Sequence, residues 1–162
     1  AFISWMLVNG KYLFTNSLIK SKLKVHINCS HEPDFVYVII CDKNCYIIEI
    51  KDGDTFDTKK SAGEVKHMRE FAECFSNTFK EYSVKIKYCM FNQDNKKSIV
   101  DGLKKNITTE EAMTGKELCD LLGISYTNIL EQRKKLAPEN VDFFIEKLLD
   151  IPVVKDKIRK KI

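Results

Sequence analysis

The chain has 162 residues, of which 44% are hydrophobic and 31% charged, and its formal net charge is +4. This length and apolar content suit one globular domain with a real core and exclude a disordered chain. The mild positive charge permits nucleic-acid binding without requiring it. No apolar run approaches the roughly 20 residues of a membrane span, so we expect no membrane association.

The cysteines and the first residues of the chain bear on the cellular compartment and the processing of the protein. The six cysteines lie in apolar runs without CxxC spacing, which is typical of a reduced, cytoplasmic protein. The opening stretch AFISWMLVNG lacks the basic flank and the cleavage pattern of a signal peptide. Because the chain begins at Ala1 without methionine, we expect a fragment or a processed piece. The sequence has no Gly-rich phosphate loop, so no nucleotide cofactor is expected.

The first clear structural signal is a pair of strands. Residues 1–30 mix the periods of helices and strands, and AFISWMLV fits either a strand or the end of a helix. Residues 34–41 are apolar and rich in valine and isoleucine, which predicts a strand. A polar turn at 42–44 and a second apolar run at 45–51 predict that the two strands form an antiparallel hairpin.

A helix and a third strand follow the hairpin. A polar, Gly-containing loop leads into a helix that starts near Thr58, with Asp57 or Thr58 as its cap. Residues 82–91 alternate apolar and polar side chains, which predicts a half-exposed strand. The order strand, strand, helix, strand predicts an α/β fold with a mixed β-sheet. A short amphipathic helix is predicted near residues 97–105.

Beyond residue 108 the sequence predicts helices alone. TGKELCDLLGISYTNILEQRKKL predicts a helix, a break at Gly123 and a second helix from about Ser125. PENVDFFIEKLLDIP predicts a further helix that Pro152 ends, and a basic tail follows. We therefore expect a core of residues 1–108 and a helical C-terminal region, 109–162, packed on that core.

Polar side chains gather where the two strands of the hairpin would meet. Glu49 and Lys51 are two residues apart and share one strand face, whereas Ile48 and Ile50 point from the other face into the core. Asp34 begins the partner strand, which a tight hairpin places beside the end of the next strand. Two carboxylates and an amine would then converge at one edge of the sheet.

This set of side chains suits the hydrolysis of a phosphodiester. Carboxylates are ligands for Mg²⁺, and the backbone carbonyl of Ile50 is a further candidate ligand. The metal would polarise the phosphate and lower the pKa of a bound water. Lys51 would orient that water or stabilise the developing charge. The alternative is a surface ion pair on a solvated strand edge, because such ExK patterns often arise by chance.

PD at residues 33–34 followed by EIK at 49–51 resembles the PD-(D/E)xK motif of the restriction-endonuclease-like nucleases. The strand, turn, strand and helix context also fits across residues 32–91. The stretch EIKDGDTFDTKKSAGE is similar to the motif surroundings in some type II restriction enzymes. Many family members add a glutamate from a helix before the motif. Residues 1–31 contain no acidic residue, so that glutamate would lie upstream of Ala1 or be absent.

The resemblance implies a restriction-endonuclease-like mixed sheet and a Mg²⁺-dependent endonuclease that cuts double-stranded DNA. The expected enzyme is a type II restriction enzyme of a bacterial restriction–modification system. In this family Asp34 and Glu49 would bind magnesium, and Lys51 would assist the attacking water. A homodimer is expected if both strands of a symmetric site are cut. The alternatives are a repair or junction-resolving nuclease of the same fold, and a non-catalytic DNA-binding module.

Two helix starts are candidate DNA contacts. The helix after the hairpin would meet phosphates with its basic side chains and free amides, although a solvated turn is the alternative. The helices around Gly123 resemble a helix-turn-helix, although a packing or dimer helix would show the same pattern. The candidate DNA-binding residues are Lys59, Lys60, Ser61, Ser125, Tyr126 and Asn128.

Overall fold

The computed structural model describes residues 10–52 and 61–160. The chain divides into two compact units, Ala1–Leu118 and Cys119–Ile162. The predictions for AFISWMLV, for the helix cap at Asp57 or Thr58, and for Lys59 and Lys60 lie outside the described residues.

Within the described residues, the first unit contains a mixed five-stranded sheet in the order β1-β2-β3-β4-β5. Strand β2 pairs antiparallel with both β1 and β3, whereas β4 pairs parallel with both β3 and β5. The predicted mixed sheet and the predicted hairpin, now β2 and β3, are thereby confirmed. The strands are β1 (Lys11–Thr15), β2 (Phe35–Ile39), β3 (Asn44–Lys51), β4 (Ser83–Met90) and β5 (Ala112–Thr114).

Helices flank this sheet. Helix α1 (Asn16–Leu18) runs directly into a turn of π-helix (Ile19–Leu23), and α3 (Lys96–Gly102) follows β4. Helix α2 (Ser61–Thr78) connects β3 to its parallel neighbour β4, as a crossover connection requires. The apolar side chains of α2 recur at helical spacing and are buried, which fixes the helix on the sheet. The buried hydrophobic residues of α2 are Val65, Met68, Phe71, Ala72 and Phe75.

The main core lies on the sheet face that carries Glu49 and Lys51. Cys45 and Ile47 belong to this face by alternation along β3, and both are members of the core cluster that includes the apolar side of α2. Ile48, on the other face, is also buried. The prediction that Ile48 points into the core is confirmed, whereas Ile50 is half-buried and the face of Glu49 and Lys51 also carries core residues. Strand β3 is covered on both faces, so its continuous apolar run could not show which face meets α2.

The chain beyond residue 108 is not entirely helical, in contrast to the prediction. Residues Ala112–Thr114 form β5, which pairs with β4 through the Tyr88–Ala112 register. The sheet therefore continues past residue 108, and the two units divide after Leu118. A three-residue strand is too short to show alternation, so the sequence gives no signal for it.

Two helices lie on either side of the break that was predicted at Gly123. Helix α4 (Gly115–Leu122) ends at Gly123, whose φ of +71° is the left-handed conformation that favours glycine at a helix end. Helix α5 (Tyr126–Leu149) then begins after Ser125. The helix–Gly123–helix prediction is confirmed for these elements.

One detail of the C-terminal prediction was wrong. Pro138 lies inside α5 and does not begin a separate helix, because the turns on both sides of a proline can keep their own hydrogen bonds. The basic tail forms helix α6 (Pro152–Arg159), with Pro152 in its first turn, where the missing N–H costs nothing. Among the described residues, no helix is both long and apolar enough to cross a membrane.

Candidate active site

The hairpin register brings Asp34 beside the end of β3. Phe35 pairs with Ile48 in the antiparallel register, so one further step along each strand sets Asp34 opposite Glu49. The Oδ2 atom of Asp34 accepts a hydrogen bond from the backbone N–H of Ile50 at 2.9 Å. This bond holds the Asp34 carboxylate at the point where the pairing of β2 with β3 ends.

The backbone carbonyl of Ile50 shares the side of β3 that faces Asp34. The N–H and C=O of one strand residue point in the same direction, and the Ile50 N–H points to Asp34. The carbonyl of Lys51 points the other way and accepts the N–H of Phe91 at 2.9 Å. The candidate carbonyl ligand and the first carboxylate therefore lie on the same side of the strand.

Lys51 bridges two carboxylates from different elements. Its Nζ atom donates a hydrogen bond to Oε1 of Glu49 and lies 3.7 Å from Oε1 of Glu64 on α2. The Glu49 side chain is only 14% exposed, whereas that of Lys51 is 34% exposed. The structure thus brings together Asp34, Glu49 and Lys51, and it adds Glu64 to them.

Glu64 is the site residue that sequence reasoning missed. The search for a second glutamate covered the segment before the motif, but Glu64 lies after it, on the helix that follows β3. A signal was present, because Glu64 precedes Met68 and Phe71 by four and seven residues. This spacing sets its side chain on the core-facing side of α2. A charged residue in that register has to meet a polar partner, and Lys51 supplies it.

The electrostatics of the site show an excess of negative charge. Burial raises the pKa of the Glu49 carboxyl; the hydrogen bond from Lys51 opposes this, and the charges of Asp34 and Glu64 add to the rise. Burial alone would lower the pKa of Lys51, but the same three carboxylates outweigh it and raise that pKa. Burial is the main cause of the first shift, and the surplus of carboxylates around a single ammonium group contributes to both. Lys51 therefore stays protonated, and a further cation would favour ionised Glu49.

A pocket of about 160 Å³ opens beside Glu49 and Glu64. Its wall also contains Glu32 and the imidazoles of His31 and His67, whose rings stack with their centroids 3.4 Å apart. Since a water molecule occupies about 30 Å³ of liquid volume, the pocket has room for several waters or one phosphate group.

The oxygen donors fit a magnesium ion. Within the described residues, no group of three His, Cys, Asp or Glu side chains is arranged to hold a metal alone. Mg²⁺ does not need such a group, because it keeps several waters and takes one or two carboxylates. Asp34 and Glu49 are placed to supply such carboxylates, and the carbonyl of Ile50 would be a third hard donor. The raised pKa of Glu49 is a second reason for a cation here.

The candidate DNA-binding residues are only partly described. Ser61 is the first described residue of α2, and its side chain is fully buried. In the second unit, the Oγ of Ser125 accepts the N–H of Asn128 at 3.2 Å and caps α5. Ser125 and Asn128 are exposed, and Tyr126 is half-buried. The role of all these positions in DNA binding stays a prediction.

Comparison with known proteins defines the family. No protein-family model matches the chain, and no solved structure matches it. The chain is 38% identical over 154 residues to a curated relative, and the alignment covers 94% of this chain and 67% of that protein. The chain therefore belongs to the family of the type II restriction enzymes. The relative is the type II restriction enzyme HhaII of Haemophilus parahaemolyticus. The predicted resemblance to type II restriction enzymes is confirmed at this level.

Proposed function

We propose that this protein is a Mg²⁺-dependent endonuclease of a restriction–modification system that hydrolyses phosphodiester bonds in double-stranded DNA. The reaction would take place at Asp34, Glu49 and Lys51, on a restriction-endonuclease-like core, and a homodimer would act on a symmetric site. The observation that carries the proposal is the convergence of these three side chains at the end of β3. Membership of the type II restriction enzyme family gives it independent support.

The two carboxylates would hold the metal. Asp34 uses one oxygen to accept the N–H of Ile50, which orients its carboxylate toward the end of the strand. Glu49 is nearly buried, so its position is fixed by the surrounding core. When bound, magnesium would polarise the phosphate and lower the pKa of a bound water.

Lys51 would act as a hydrogen-bond donor and a positive charge, and not as a base. Its pKa is raised, so the ammonium has no proton-accepting lone pair at neutral pH. An ammonium group has three N–H donors, and Glu49 takes one of them. Lys51 can therefore hold the attacking water and stabilise negative charge that develops on the phosphate. Glu64, 3.7 Å from the Nζ atom, would position the ammonium for this task.

The alternative functions differ in what they require of this site. A repair or junction-resolving nuclease would use the same residues but cut without a fixed sequence on duplex DNA. A non-catalytic DNA-binding module would not need them. Family membership favours the restriction enzyme over both alternatives.

The experiment is cleavage of mixed plasmid DNA with Mg²⁺ or with EDTA. We expect discrete fragments that require Mg²⁺, and a loss of roughly 100- to 1000-fold in rate for Lys51→Ala, because an essential charge donor is removed. The matched control is Lys66→Ala, since Lys66 is an exposed lysine of α2 whose partner is Glu70. This control should cut like the wild type. Binding of DNA without any cutting by the wild type would contradict the catalytic assignment.

A further inference from the structure

The segment before the catalytic hairpin contains a π turn, Ile19–Leu23. The N–H of Lys24 donates to the carbonyl of Ile19 at 2.9 Å, which is the five-residue spacing that defines such a turn. Turns of this kind are uncommon and occur frequently at functional sites. Ile19 and Leu23 are buried and anchor the turn in the core, so the lysines around them are left at the surface.

The π turn separates its lysines into two sides. Lys20 and Lys24 are four residues apart, close to one full turn, and so they share a side, whereas Lys22 lies on the opposite one. Lys24 forms an ion pair with Glu32. The shared side of the two lysines therefore faces Glu32.

Glu32 connects this basic side to the candidate active site, because it lines the same pocket as Glu49 and Glu64. Together with Asp34, four described carboxylates surround the pocket and the hairpin mouth. Lys24 and Lys51 balance two of these negative charges, and one magnesium ion would balance the other two. A DNA strand would then bring further negative charge to the edge of this pocket, which we call the rim. A further cation is therefore needed to attract the strand.

We propose that Lys20 and Lys24 form a binding site for a backbone phosphate of the DNA strand, next to the phosphate that is cleaved. Exposed Lys20 contacts the phosphate, and Lys24 neutralises Glu32 so that the strand can approach. The inference rests on the proposed nuclease function, because that function supplies the DNA.

The first test is the salt dependence of DNA binding. A fluorescently labelled duplex DNA is titrated with the full chain by anisotropy, with Ca²⁺ in place of Mg²⁺, over a series of KCl concentrations. Lys20→Ala should weaken binding roughly fivefold and reduce the slope of log K against log salt by about 0.9, the value for one lost phosphate contact. Lys22→Ala is the matched control, since it removes the same charge from the other side of the turn. If the two variants lose the same DNA-binding affinity, the effect is one of general charge, and that result would overturn the proposed phosphate site.

The second test uses the ion pair itself. Lys24→Gln leaves Glu32 without its partner, so DNA binding should weaken. Glu32→Gln removes a negative charge from the rim and leaves Lys24 for the phosphate, so binding should tighten. A purely structural ion pair would instead lower thermal stability and binding in both variants, and that result would overturn the proposal.

Cleavage by the same preparations separates this inference from the proposed function. If Lys51→Ala still cuts DNA, the assignment of the active site fails. If cutting depends on Lys51 but Lys20→Ala binds DNA like the wild type, the phosphate site alone fails.

Discussion

Gly115 begins α4 at a point where the backbone of the chain leaves no room for a side chain. A Cβ atom at this position would lie 2.1 Å from the carbonyl oxygen of Phe91 and 2.9 Å from its carbonyl carbon. Favourable contacts between heavy atoms occur at about 3.5 Å, so Gly115→Ala requires a backbone shift of roughly 1.4 Å. The obstacle is main chain, which relaxes less easily than a flexible side chain. We expect a loss of about 3 kcal/mol in the free energy of unfolding, the upper range for overpacking.

The same shift should reach the active site. The N–H of Phe91 donates to the carbonyl of Lys51, so a displaced Phe91 moves the backbone that carries the lysine. Misplacement of a catalytic group by about 1 Å can cost roughly 100-fold in rate. Gly115→Ala should therefore lose both stability and cleavage, although Gly115 is not one of the candidate site residues.

Thermal unfolding followed by circular dichroism measures the first effect, and the rate of plasmid cleavage measures the second. For a chain of this size, 3 kcal/mol corresponds to a fall in Tm of roughly 6–12 °C. Gly102→Ala is the control, because a Cβ at Gly102 meets nothing within 4 Å. That variant should be as stable as the wild type, or up to about 1 kcal/mol more stable, since alanine is the better helix former. A Tm for Gly115→Ala within about 1 °C of the wild type would refute the reasoning.

Two predictions concern the carboxylates of the site. Because the pKa of Glu49 is raised in the folded state, its ionised form costs stability at neutral pH, and this cost disappears as the pH falls below the ordinary glutamate range. Glu49→Gln should therefore raise the Tm at neutral pH, with a gap to the wild type that closes in acid, while cleavage is lost. A lower Tm at neutral pH would contradict this sign. Glu64→Gln should keep the fold but remove one of the two anionic partners of Lys51, so the ammonium is less well positioned and kcat falls roughly tenfold at an unchanged KM. A change in KM alone would show that Glu64 acts on DNA binding instead.

The hairpin and the position of Asp34 could be predicted because the relevant signals are local. Two β-branched runs flank a short polar turn, so strand pairing follows from adjacent sequence. Once the hairpin is given, its register fixes which residue lies opposite Glu49. The convergence of the two carboxylates therefore needs no information from remote parts of the chain.

The pairing of Glu64 with Lys51 and the strand β5 could not be predicted, because the partners are distant in the sequence or hidden by the pattern. Glu64 meets Lys51 only after α2 has packed on the sheet, and the CYIIEI run does not show which face of β3 the helix covers. Strand β5 depends on Tyr88, whose partner Ala112 lies more than twenty residues later. The prediction at Pro138 was wrong for the opposite reason. Proline is locally a signal for a helix boundary, yet α5 continues through Pro138.

The carboxylates near the pocket differ in their hydrogen-bond and ion-pair partners. This difference determines which carboxylate a metal ion would stabilise most. Asp34 accepts a backbone N–H, and Glu32 has Lys24 as its own partner. Glu49 shares Lys51 with Glu64, and the pKa of Glu49 is raised.

A cation at this site should therefore stabilise the folded protein chiefly through Glu49. Magnesium at 100 times its Kd would add about 2.7 kcal/mol to the free energy of unfolding. We expect Mg²⁺ to raise the Tm of the wild type, and we expect most of that rise to be lost in Glu49→Gln. If both proteins gain the same Tm from Mg²⁺, the ion binds elsewhere, and the raised pKa of Glu49 reflects burial without a role in metal binding.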